Sequence, residues 1–185
     1  HRYHVEGVQF LKEVKAEGRL YNVYWMGGYL GHHLAPAAKV FVDGRTEHYS
    51  GETFHDYSSI RQMKGGRRGE SVLDVLDRYE VDIFFGVGFP GWWLGINTKN
   101  FLEHVPGWIA VSRSYRHAIY VRDTPATAPL LARIEAHYAA RNLPFDRHNG
   151  FDADAVIDRA PEWSVDHALL PHNWRAYRAV NNPED

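Results

Sequence analysis

Residues 24–49 read YWMGGYLGHHLAPAAKVFVDGRTEHY, and the order of apolar runs and breakers in this stretch decides the fold class. Leu20 to Trp25 has the aromatic and β-branched composition of a strand and runs into Gly27-Gly28, a tight turn. Tyr29 to Leu34 is long enough for a short helix before Pro36 limits it. Lys39-Val40-Phe41-Val42 then reads as a second buried strand, closed by Asp43-Gly44-Arg45. About a dozen residues separate the two strands, enough for a parallel crossover. The segment is therefore expected to form the polar-rimmed centre of an α/β domain.

The same logic extends outward. Val5, Val8, Leu11 and Val14 recur at three-residue steps, predicting one apolar helix face that ends before Gly18. Ser50 is placed to cap a helix presenting Phe54, Tyr57 and Ile60, and Lys64 to Gly69 is a glycine-rich, charged loop. Ser71 with Asp74 three residues later opens another helix, with Val72, Leu76 and Tyr79 inward, and Val81 to Val87 follows as a third strand. Asn97 or Thr98 is expected to cap a short helix carrying Phe101, Leu102 and Val105. Trp108 to Ser114 and Ala118 to Arg122 predict an antiparallel hairpin turning at Tyr115-Arg116-His117.

From Thr124 the pattern becomes helical, with Leu130, Leu131, Ile134 and Tyr138 inward, and short helices anchored by Phe151, Val156, Ile157, Trp163, Leu169, Trp174 and Tyr177 follow Pro144. The expected architecture is three-layer: a mixed, mostly parallel, Rossmann-like sheet with an antiparallel edge hairpin, flanked by helices. Residues 1–123 form the α/β domain, and 124–185 a helical C-terminal extension packed on it.

Composition narrows the function classes. The 185 residues are 44% hydrophobic with a formal charge of −2, enough apolar material for one core. Acidic and basic residues are interspersed, so the electrostatic footprint of a nucleic-acid partner is missing. With no cysteine there is neither a disulfide nor a thiolate ligand or nucleophile. Because the sequence starts at His1 rather than Met, any leader or anchor is expected upstream. The uncharged run Ile83 to Thr98 holds four glycines and Pro90 and is too short to span a bilayer.

Chemistry-bearing motifs are sparse. Gly28-x-x-Gly31 matches the second half of a dinucleotide fingerprint, but Met26 stands where the first glycine belongs and Asp43 comes early for the acidic partner. The competing reading is structural, with the glycines allowing close strand–helix approach and Asp43 and Arg45 holding their own turn. His33 and His48 with Asp43 are weak metal-ligand candidates. Adjacent His32 and His33 diverge by about 100° on a helix and cannot face one ion, so surface histidines are the plainer reading and no metal or other cofactor is expected. No serine lies in a G-x-S-x-G elbow. The aromatic loop Gly86 to Gly95 is either a lid on the domain's own core or a contact with a ligand, a partner or a membrane interface.

The ordered set of motifs resembles a known family. Trp25 with Gly27-Gly28-Tyr29-Leu30, then Phe41-x-Asp43-Gly44-Arg45, Tyr49, Leu76-x-x-Tyr79-x-Val81-Asp82, and a hairpin with Trp108 and Val121-Arg122 resemble the soluble C-terminal domain of multi-spanning bacterial membrane glycosyltransferase-like proteins. Those proteins are similar in plan to the mannosyltransferases that use lipid-linked sugars. The resemblance covers about Val5 to Asp123. Met26 intrudes between the tryptophan and the glycine pair, and the loop from Gly86 to Asn97 is longer than in that pattern.

The resemblance implies a parent with an N-terminal bundle of membrane helices that carries the catalytic carboxylate. This chain would then be a non-catalytic accessory domain on the extracytoplasmic (periplasmic) face of the inner membrane. Its partners would be the bundle and a lipid-linked sugar or acceptor. Tyr29, Asp43, Arg45 and Tyr49 are the binding candidates that follow, and Phe89, Trp92, Trp93 and Leu94 the candidates for contact with membrane or bundle. The alternatives are a free-standing nucleotide- or nucleotide-sugar-binding enzyme and a protein-interaction module.

Overall fold

The apolar spacing at the N-terminus produces α1 (Val5–Glu13), which buries Val8, Leu11 and the following Val14. Burial of such a side chain contributes about 2 kcal/mol. Val5, expected on the same face, is 43% exposed, because it is the first helical residue and lies at the edge of the packed surface. The computed structural model describes residues 4–66, 69–88, 97–167, 169–170, 174 and 176.

Strand β1 (Gly18–Tyr21) ends sooner than its composition predicts. The side chain of Asn22 takes over from the ladder there: Nδ2 donates to the Val42 carbonyl at 2.8 Å, and Oδ1 accepts from the Phe41 amide at 2.9 Å. Tyr24–Met26 consequently forms a 3-10 turn that leads directly into α2 (Gly27–Leu34). Strand β2 (Ala38–Val40) lies parallel to β1, with Gly18 opposite Ala38 and Leu20 opposite Val40. α3 (Gly51–Arg61) starts at Ser50, whose hydroxyl accepts from the Thr53 amide, and α4 (Val72–Arg78) starts at a reciprocal Ser71–Asp74 capping box.

The near-continuous apolar run becomes β3 (Ile83–Val87), buried along its whole length and parallel to β1. Residues 99–104 form successive turns in place of the predicted helix. Long-range ties explain the difference. Thr98 Oγ1 accepts from the Val87 amide at 3.0 Å, and the Tyr120 hydroxyl donates to the Lys99 carbonyl at 2.6 Å. Strands β4 (Trp108–Arg113) and β5 (His117–Arg122) form the antiparallel hairpin, and His117 belongs to the strand rather than to the turn. α5 (Ala128–Ala139), α6 (Ala153–Arg159) and α7 (Pro161–Asp166) complete the chain's described elements.

The sheet order is β2-β1-β3-β5-β4, parallel through β3 and antiparallel beyond it. Alternation along the strands divides the core. Ile83, Phe85 and Val87 join residues of α1, α2, α5 and α6 on one face, while Phe84, Ala118 and Tyr120 join residues of α3 and α4 on the other. The three layers are therefore helices, mixed sheet, helices. The crossover β1-α2-β2 covers one face and α3-α4 the other, so the strand order reverses between β1 and β3. In an open α/β sheet the crevice at the carboxyl ends of such strands is the usual ligand position. Among the described residues no helix is long and apolar enough to cross a membrane.

Candidate functional site

Gly27 and the segment that follows β2 meet so closely that a Cβ on Gly27 would lie 2.0 Å from the Val42 carbonyl oxygen and 2.7 Å from the Asp43 Cα. The first glycine of the pair therefore serves close approach. Gly28 and Gly31 differ from it: a Cβ on either meets nothing within 4 Å. Both open onto a groove of about 760 Å³ whose other walls are His32, Ala35, Lys39 and Val40 and the turn Asp43-Gly44-Arg45 with Tyr49. On α2 the lining residues fall at steps of three and four, one face of the helix, while Leu30 and Leu34 point into the core.

Asp43 organises the turn. Its Oδ1 accepts from the Arg45 amide at 2.9 Å, and its Oδ2 accepts from Arg45 Nε at 3.0 Å. Hydrogen bonds from the Arg45 side chain, then from the Arg45 amide and the Tyr49 hydroxyl, outweigh burial and hold the Asp43 carboxyl below its ordinary value. Asp43 is 4% exposed, whereas the side chain of Arg45 is 68% exposed. The buried acid braces a cation that faces water. Lys39 and Arg45 outnumber Asp43 on the groove wall, so the groove favours an anion.

Of the four predicted binding residues, Asp43, Arg45 and Tyr49 line this groove together. Tyr29 does not join them: its ring meets His33 edge-on at 4.4 Å and packs against the core on another face of α2. His48 is exposed beside Glu47 at 3.6 Å. Among the described residues no group of three His, Cys, Asp or Glu side chains is placed to hold an ion. His33, Asp43 and His48 accordingly do not assemble as a metal site. Phe89, Trp92, Trp93 and Leu94 lie outside the described residues, as does Tyr177.

Two polar clusters have no local signal in the sequence. On the α3–α4 side Asp56, 1% exposed, accepts from Arg78 Nη2 at 3.0 Å and from the Tyr79 hydroxyl at 2.9 Å, and Arg78 Nε also reaches Glu70. Burial pushes the Asp56 carboxyl up, and these hydrogen bonds overcome it, leaving the net displacement downward. At the carboxyl end of β3, the wholly buried Lys99 donates from Nζ to the Tyr115 carbonyl at 2.8 Å, and burial lowers its ammonium to about 7. Next to it the Ser114 hydroxyl lies 3.0 Å from His117 Nδ1, and His117 is held neutral by burial. Ser114 and His117 are neighbours across the hairpin turn, but Asp56 with Arg78 and Tyr79, and Lys99 with Tyr115, are brought together only by the fold, so spacing alone does not reveal these clusters.

Comparison with family models, curated proteins and solved structures returns no match.

Proposed function

We propose that the chain is a non-catalytic, extracytoplasmic accessory domain of a membrane glycosyltransferase-like protein, and that its groove beside α2 positions the phosphate of a lipid-linked sugar. The observation that carries this reading is the braced arginine. Asp43 is buried and fully engaged, and it presents the exposed Arg45 on the wall of a groove that also carries Lys39. A guanidinium held in one orientation loses less freedom on meeting a phosphate than a free side chain does.

The motif order from Trp25 to Arg122 supports the placement in a membrane enzyme. The glycine floor supports the ligand class, since Gly28 and Gly31 leave the helix surface open to a bulky group. The donors Arg45 and Lys39 come from side chains and not from the N-terminus of α2, where Gly27 is packed beneath the Val42 carbonyl. That packing favours the accessory-domain reading over a dinucleotide cradle.

Co-sedimentation with liposomes tests the reading. Vesicles of phosphatidylcholine containing a polyprenyl phosphate are expected to retain more of the chain than vesicles containing the polyprenol, and Arg45→Ala is expected to remove the difference. Equal retention by the two vesicles contradicts the proposal.

A further inference from the structure

A second cavity, of about 380 Å³, lies toward the other edge of the sheet, on the same face as α2, between α1, α5, α7 and the β4–β5 ladder. It shares no residue with the groove beside α2. Its size is at the low end for pockets that enclose small molecules.

The interior is aromatic. Phe10 and Tyr138 lie side by side with centroids 5.9 Å apart. The Tyr138 hydroxyl donates to the Val111 carbonyl at 2.6 Å, so that polar end is already satisfied by the sheet. Trp163 lines another wall and is stacked on His167 at 3.8 Å.

The charges on the lining do not cancel. Arg113 is paired with Glu103 through one guanidinium nitrogen, so the pair adds no net charge to the lining. Burial lowers the His137 imidazole to about 4, so at neutral pH it adds no positive charge. Glu13 is held by Arg141 at 3.0 Å and by Gln9 at 3.0 Å. Glu6 and Asp166 also line the cavity and have no ion-pair partner among the described residues. His137 and Tyr138 belong to the last turn of α5, where the carbonyl end of the helix adds partial negative charge.

We propose that this cavity binds a small organic cation, an alkyl- or arylammonium whose apolar body lies against Phe10 and Trp163 and whose charged head meets Glu6 and Asp166. Aromatic faces attract such cations directly, and the two carboxylates add charge complementarity that a neutral or anionic ligand does not use.

Benzyltrimethylammonium is the probe, with benzyl alcohol and phenylacetate as neutral and anionic counterparts. The indole N–H resonance of Trp163, assigned by its loss in Trp163→Phe, reports occupancy. The ammonium is expected to give a saturable shift with a Kd of about 1 mM, weakened about tenfold in a Glu6→Gln/Asp166→Asn variant. Benzyl alcohol and phenylacetate are expected to leave the resonance in place. No saturation by about 50 mM ammonium overturns the proposal. So does an equal response to phenylacetate, or undiminished binding by the folded variant. Should the variant fail to fold, the three probes on the unaltered chain decide the matter.

Discussion

Both carboxylate oxygens of Asp43 are engaged by Arg45, one through the backbone amide at 2.9 Å and the other through Nε at 3.0 Å. The pair lies two residues apart and is asymmetric, with the acid buried and the base in solvent. Its contribution to stability is modest, since water screens the exposed partner. Its consequence is geometric: the guanidinium is fixed against the wall of the groove.

The asymmetry sets a pH dependence. Because the Asp43 carboxyl is held below its ordinary value by Arg45 and Tyr49, its stabilisation is complete above the unfolded value of 3.8. It is lost as pH falls through the lower folded value. Urea midpoints followed from about pH 5 to about pH 2.5 are expected to fall less steeply in Asp43→Asn than in the unaltered chain. Parallel curves would show that the pair does not act this way.

The buried histidines act at higher pH. Burial lowers His4 and His137 from 6.5 to about 4, so the unfolded chain takes up their protons first. Stability is therefore present above the unfolded value and declines as pH falls from about 6.5 to about 4. The difference between urea midpoints at about pH 7 and about pH 4.5 is expected to shrink in His137→Gln, and an unchanged difference counts against a neutral, buried His137.

The glycines of α2 separate packing from binding. Gly27→Ala drives a Cβ into the Val42 carbonyl and is expected to destabilise the fold by about 2–3 kcal/mol. Gly31→Ala meets open space and is expected to stabilise by up to about 1 kcal/mol through helix propensity, while narrowing the groove. Chemical denaturation of the two variants checks both signs.

Asn22 is the polar tie between β1 and the end of β2. Asn22→Leu leaves the Val42 carbonyl without its side-chain partner in a buried setting, while the Phe41 amide keeps its bond to the Leu20 carbonyl. The expected cost is about 1–3 kcal/mol, read as a lower urea midpoint with an unchanged slope.

Local rules explain which parts of this architecture could be read before the fold was seen. The Ser50 cap, the Ser71–Asp74 box and the inward face Leu130, Leu131, Ile134 and Tyr138 depend on neighbours within a turn or two, and each forms as spacing predicts. The ends of β1 and β2 depend instead on Asn22 and its partners about twenty residues away, which no local pattern encodes. Likewise, Phe101, Leu102 and Val105 have helical spacing, but Tyr120 and Val87 hold that segment in turns. The Asp43-Gly44-Arg45 turn was legible as a turn. Its position opposite Gly28 and Gly31 required the crossover to be folded, and so did the departure of Tyr29 to another face of α2.

The most direct measurement is a titration of the isotopically labelled chain with geranyl phosphate, followed at the backbone amides of Gly28, Gly31 and Arg45. Saturable shifts at these amides are expected, with geraniol producing none and Arg45→Ala raising Kd by about tenfold or more. Shifts of the same size with geraniol, or an affinity unchanged by Arg45→Ala, would contradict the assignment of the groove to a lipid-linked phosphate.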